Sequence, residues 1–403
     1  MKTSCCWLSF VFVVASSVTA ADWPQWRGPH HNGIADEKAW KSNWGADAPK
    51  VLWNASIGTG FSSFSVADGR VFTTGHAEKM DTVFCFDAAT GKVVWKHSYP
   101  AELGDKYYEG GTLATPVVDG EKLFHLSKWG DAFCFDAASG KVIWSKNVQK
   151  ETGAHIPDWG FAGSPLVHGQ MLLLNVGGAG LALDKSSGKI LWQSAADDSG
   201  YSTPILMKRG ADDIALFSSG KAFVAVDAKS GRKEWEFPWT TKYGVNAADP
   251  IISGDRVFIS SSYNKGCALI KVDSASPVVV WQNKELKNQL GSSVLLDGHL
   301  YGFDGDNTAS RSPLKCIDFA TGSMKWVDNT IGPGALMLAD GKLIVLTNKG
   351  DLIIAKASPQ KFDIISRAPV LTGKCWTVPV LANGRIYSRN SKGDVVCLDV
   401  SAK

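Results

Sequence analysis

Nine side chains combine the types that a binding or catalytic pocket uses: Tyr108, Glu109, Trp159, Phe161, Tyr201, Asn246, Asp249, Lys374 and Trp376. The aromatic members offer apolar faces with polar edges, suited to a flat ligand or a peptide. Glu109, Asn246 and Asp249 are the oxygen donors a hard cation would need, several of them converging. Each of these types also serves loops as a turn former or solvated side chain. His155 and Asp158, beside Trp159, are spaced as an acid–base pair. The eight His contain no HExxH pattern, and no Ser–His–Asp arrangement is legible. Gly177 to Gly180 (GGAG) precedes no helix, so no N-terminus faces a phosphate there. A formal charge of +3, without a basic stripe, argues against nucleic acid or an anionic membrane as partner.

What could bring distant residues together is a repeat. Six segments carry Asp followed eight residues later by Trp: Asp87 and Trp95, Asp136 and Trp144, Asp184 and Trp192, Asp227 and Trp235, Asp273 and Trp281, Asp318 and Trp326. The first two read DAATGKVVW and DAASGKVIW. Five of the six have Gly four residues after Asp, where a tight hairpin takes positive φ. Asp hydrogen-bonds the backbone that opens such a turn. Before each turn lies an apolar or alternating run, then a second hairpin signal such as VADGRVF or ISGDRVF. Earlier still comes a start near Ser-Pro or Thr-Pro, as in ATPVV, GSPLV, STPIL and, with Asp, ADPII. One repeat is therefore four short strands with a period of 43 to 49 residues, the signature of a propeller blade.

Two further copies are degenerate. Lys356 stands where Asp is expected and Ile364 where Trp is expected. The last copy ends at Asp399, without its fourth strand, and Lys50 to Ile57 with Trp53 can supply it. The expectation is an all-β fold, an eight-bladed β-propeller of four-stranded antiparallel blades closed by an N-terminal strand. Loops leading into the innermost strands would converge at one channel mouth and bring the nine residues there, with Gly60-Phe61. The repeated Trp is read as a wedge between blades.

Residues 1–20 read as a secretory signal: Lys2, the apolar run Leu8 to Val14, then Val18-Thr19-Ala20 at the cleavage positions. Residues 21–49 are an N-terminal extension and 50–403 a single propeller domain. Cys85, Cys134, Cys316 and Cys397 occupy one slot of the repeat, filled by Ala182 and Ala225 elsewhere, so the slot is a small core position. Cys267 and Cys375 fall outside it, and sequence does not pair them.

The segments DAATGKVVW and DAASGKVIW resemble the tryptophan-docking repeat of the pyrroloquinoline quinone (PQQ) propeller family. The opening DWPQWRGPHHNG, residues 22–33, is similar to the start of exported propellers of that superfamily. The family holds alcohol dehydrogenases that use quinone and calcium, and an outer-membrane assembly scaffold without cofactor. The chain resembles the scaffold more. An adjacent cysteine pair over the quinone would mark a dehydrogenase, and the only adjacent pair is Cys5-Cys6, in the leader. The resemblance implies a periplasmic or secreted, non-catalytic binding or scaffold protein without cofactor or metal. Its partner would be an envelope protein or peptide, with no membrane anchor and a monomeric state. The alternative is a PQQ-dependent alcohol or sugar dehydrogenase with quinone and calcium at the channel mouth. A carbohydrate binder using exposed Trp and Tyr is a third reading. Whether Tyr108, Trp159 and Trp376 share one pocket or lie between blades discriminates among them.

Overall fold

The computed structural model describes residues 21–45, 47–273, 276–305 and 312–402. The expected leader, with Cys5 and Cys6, lies outside the described residues. In the first blade, Ser65–Ala67, Arg70–Ala77, Met80–Asp87 and Val93–Pro100 form a consecutive antiparallel sheet, from channel to rim. The pattern recurs over 117–147, 166–193, 205–238, 251–283, 294–328 and 334–369. The eighth blade takes Val380–Ala382, Arg385–Arg389 and Asp394–Asp399 from the end of the chain. Its outermost strand is Lys50–Ser56, in antiparallel register with Trp53 opposite Cys397. The described residues thus form an eight-bladed propeller closed by an N-terminal strand, which completes the fourth strand of the last blade.

The repeated Trp joins each blade to the next. Trp53, Trp95, Trp144, Trp192 and Trp281 donate from Nε1 to the carbonyls of Ala88, Ala137, Lys185, Ala228 and Phe319, at 2.9–3.0 Å. Each acceptor directly follows the turn Asp of the neighbouring blade. The turn Gly lies under the ring: at Gly140 (φ 73°) an added Cβ would sit 2.5 Å from Trp95. The turn Asp accepts from the backbone N–H and hydroxyl three residues on, as Asp136 does from Ser139 at 2.8 and 2.6 Å. Burying one indole contributes on the order of 4 kcal/mol before conformational costs. The wedge reading of the Trp therefore holds.

The seventh blade has Ile364 in the Trp position, paired with Ala355. There the N-terminal extension supplies the missing contact. Trp40 and Trp44 are buried in one apolar cluster with Ile354, Ala368 and Leu398 of blades seven and eight. Trp44 N donates to Ser366 Oγ at 3.2 Å. Lys41 N donates at 2.7 Å to the carbonyl of Val400, which follows Asp399 as Ala88 follows Asp87. A backbone N–H here replaces the indole N–H used elsewhere.

All six described cysteines are buried free thiols, Cys267 and Cys375 among them. No described helix is long and apolar enough to cross a membrane.

Candidate functional site

The connections leading into the innermost strands converge at one mouth of the channel, and a ring of short polar side chains ties them together there. Ser63 N donates to Thr115 Oγ1 (3.0 Å), Thr115 N to Ser164 Oγ (2.9 Å) and Ser164 N to Thr203 Oγ1 (3.0 Å). Thr203 N donates to Asp249 Oδ1 and Asp249 N to Ser292 Oγ, both at 2.8 Å. This is what the Ser-Pro and Thr-Pro starts do. The hydroxyl of each takes a backbone N–H of the preceding blade, and the proline that follows has no N–H to satisfy.

Asp249 is the one carboxylate in this ring, and its second oxygen holds the N-terminal extension. Residues 22–35 enter the channel from the opposite face, where Asp22 accepts from Asn383 Nδ2 and Asp68 N. Trp23 pairs with Val66 of blade one, and Val118 N of blade two donates to Pro24 O at 2.8 Å. The chain reverses below the mouth through turns closed by Gly28 N to Gln25 O and Gly33 N to Arg27 O. It then descends beside blade seven, where Ile34–Ala35 pair in parallel with Leu338 and Ala339. At the tip, Trp26 Nε1 donates to Asp249 Oδ2 at 2.6 Å, and Ser292 Oγ reaches the same oxygen at 3.2 Å. Arg27 is buried 3.9 Å from that oxygen and donates to the carbonyls of Asn32 and Ser293. Burial raises the Asp249 pKa, against Arg27 and these hydrogen bonds. Burial lowers Arg27, opposed by Asp249. The extension is therefore a plug, a role that sequence reasoning did not assign it.

Above the plug lies a cavity of about 370 Å³. Trp26 of the plug contributes to its lining. The walls bring together Tyr108, Trp159, Tyr201, Asp249 and Trp376 of the nine expected residues, with Phe61. Tyr108, Trp159 and Trp376 thus share one pocket rather than lying between blades. Phe61 stacks on Trp376 with centroids 5.4 Å apart, and Trp159 meets Tyr201 edge-on at 5.9 Å. Tyr107, Tyr263, Gln289 and Leu290 also line it and were not foreseen. Tyr263 sits in the hairpin between the second and third strands of blade five, which opens on the same mouth.

Four expected residues do not line the cavity. Phe161 is buried in the apolar cluster between blades two and three, with Leu126 and Leu174. Asn246 is fully buried as a clamp: Nδ2 donates to the carbonyls of Ser219 and Trp239 at 2.9 Å, and Oδ1 accepts from Ser261 Oγ at 2.8 Å. Both correct the expected patch, because apolar burial and backbone satisfaction claim these side chains. Glu109 and Lys374 pair with each other at 2.5 Å beside the cavity, and Lys374 Nζ lies 4.1 Å from the Trp376 ring centroid. The expected acid–base pair is also corrected: His155 Nδ1 meets Asp198, not Asp158, at 2.5 Å on the exposed rim. Nearby, Lys128 donates to the carbonyls of Leu103 and Gly104, and burial pushes it down to about 8.

An eight-bladed propeller built on the tryptophan-docking repeat, with a plugged channel and an aromatic mouth, defines the class of protein. A family model described as outer membrane protein assembly factor BamB matches residues 34–115 and 106–328, and the chain belongs to that family. No curated protein matches it. Among solved structures it is similar to BamB from Moraxella catarrhalis, at 16% identity and a TM-score of 0.65, covering 87% of this chain and 100% of that one. It is also similar to the quinohemoprotein alcohol dehydrogenase from Comamonas testosteroni, at 14% identity and 0.70, covering 95% and 81%. A europium-containing methanol dehydrogenase gives 11% identity and 0.70, covering 94% and 89%. At such identities the likeness is one of fold.

The dehydrogenases raise the question whether this mouth suits PQQ and calcium. The cavity does not fit them. PQQ is a polycarboxylate, and no Lys or Arg is among the described residues that line the cavity. Asp249, the one carboxylate among the described lining residues, is spent on Trp26, Thr203, Ser292 and Arg27. Among the described residues no group of three His, Cys, Asp or Glu converges as a metal site. A hard cation would have to strip Asp249 from four partners and find its other oxygens among hydroxyls.

Proposed function

We propose that this chain is a non-catalytic binding propeller of the cell envelope, periplasmic or secreted, acting as a monomeric scaffold for an envelope protein or peptide. The observation that carries the reading is the chemistry of the cavity. Aromatic rings dominate it, and its single acid is immobilised by four partners. A general base needs a carboxylate or imidazole within reach of a substrate proton, and no other Asp or Glu and no His is among the described residues lining this cavity. Membership in a family described as an assembly factor supports the scaffold role. The rigid ring holds its mouth loops in fixed relation, which reduces the ordering cost of binding.

A photocrosslinking amino acid at Tyr107, which is 74% exposed at the mouth, tests the reading. The control position is Asp255, in an inner hairpin on the opposite face. Irradiation in intact envelopes is expected to give a discrete adduct from position 107 and none from 255. Equal labelling from both faces, or none from either, counts against a mouth-directed partner.

A further inference from the structure

Thr115, Ser164 and Thr203 open the innermost strands of blades two, three and four, and all three line the cavity. They are 2%, 3% and 6% exposed, so water reaches them only from the cavity side. Each oxygen accepts a backbone N–H within the ring. None of the three O–H groups has an acceptor among the described residues. Ser63 and Ser292, in the same ring, spend theirs on the Val378 carbonyl and on Asp249. Leaving a buried donor unmet costs about 1–3 kcal/mol. An arc of three adjacent donors therefore faces the cavity with its bonding capacity unused.

The opposite need is met by the aromatic surfaces. Trp26, Trp159, Trp376 and Tyr201 present ring faces or edges to the same space. A charged ligand would be desolvated here without a counter-charge from the described lining residues, since no basic side chain is among them and Asp249 is already paired. A neutral sugar ring matches both the aromatic surfaces and the hydroxyl arc. Its C–H face stacks on an indole, and its ring and hydroxyl oxygens accept from Ser and Thr. Tyr107 and Leu290, 74% and 40% exposed at the cavity's edge, continue the apolar surface beyond a single ring.

We infer that the mouth cavity binds a neutral saccharide chain, with one sugar seated above Trp26 and its oxygens bonded to Thr115, Ser164 and Thr203. This rests on the non-catalytic binding reading and gives the cavity its own ligand, while the surrounding loops remain for a protein partner.

The test is calorimetric and fluorescence titration of the mature protein with cellotetraose, maltotetraose, mannotetraose and chitotetraose. At least one is expected to bind with Kd at or below about 1 mM and to change the tryptophan emission. Trp159→Ala, at the exposed edge of the cavity, is expected to weaken it about tenfold. Thr203→Val should weaken it about fivefold, with its melting profile reading separately the loss of the acceptor for Ser164 N. Binding with neither variant affected would move the sugar elsewhere and overturn the assignment. So would a charged oligogalacturonate binding more tightly than every neutral chain. No response from any neutral chain at about 10 mM also overturns it. In that case a tryptophan-containing peptide that binds and is lost in Trp159→Ala would keep the mouth as a binding site. Silence from the peptide as well would remove the support that the cavity lends to the binding reading.

Discussion

Asp249 shows how one residue can look like a ligand donor and serve as a structural anchor. It occupies a slot that holds Ser or Thr in blades two, three, four and six, and it does their work with Oδ1. Its second oxygen is what an alcohol lacks, and that oxygen anchors Trp26 and faces Arg27. Asp249→Ser keeps an acceptor for Thr203 N and deletes the anchor. The expected outcome is a loss of about 1–3 kcal/mol, with faster hydrogen exchange in residues 22–35 and little change in the blades. Uniform loss across all blades would contradict the anchor role. His31, in the plug at φ 54°, is pushed down to about 4 by burial, then by Arg27 and His30. Its folded pKa lies below the unfolded 6.5, so the unfolded chain binds the extra proton. The stabilisation is complete above about pH 6.5 and is lost as pH falls toward 4, up to roughly 3 kcal/mol. His31→Asn tolerates the left-handed backbone and should flatten the stability profile between those pH values; an unchanged slope would show that His31 is not its source. Five of the nine expected residues reach the cavity. The other four failed for a physical reason: sequence gives the loop but not which side of it faces solvent. The Asp in ADPII, where sister copies have Ser or Thr, was the available signal for the anchor.

At the scale of the element, the turn was the most legible part of the chain. DAATG and DAASG specify Asp bonding, positive φ and a close-packed ring together, so position, residue type and spacing agree. Two glycines of one blade separate these causes. Gly120 (φ 57°) has open space around an added Cβ, whereas at Gly140 the Cβ would lie 2.5 Å from the Trp95 ring. Gly120→Ala should cost about 1–2 kcal/mol from backbone conformation alone. Gly140→Ala should cost that plus roughly 1–3 kcal/mol for displacing the indole. Denaturant midpoints of the two variants measure the difference, and equal losses would show that the ring yields freely. The seam between blades seven and eight was less legible. Ile364 in the Trp slot announced a missing wedge, and Trp40 and Trp44 were spare tryptophans. Nothing in their spacing matched the repeat, because a crossing segment meets the seam from outside the blade pattern.

For the whole molecule, blade number and closure followed from the count of copies and the truncated last one. The plug did not, since a segment of turns carries no periodicity and its place is set by residues more than two hundred positions away. Its consequence is large. The closed ring would otherwise surround a channel, and the plug makes that channel a shallow aromatic cavity with one neutralised acid. Among the described residues lining that cavity there is no cation and one carboxylate, already paired, so they do not seat a charged redox cofactor. The most direct measurement is calorimetric titration of the mature protein with PQQ, with and without calcium. No heat of binding at concentrations up to about 0.5 mM, in either condition, is the expected result. Tight, calcium-dependent binding that Asp249→Ser abolishes would contradict it and make the mouth a cofactor site.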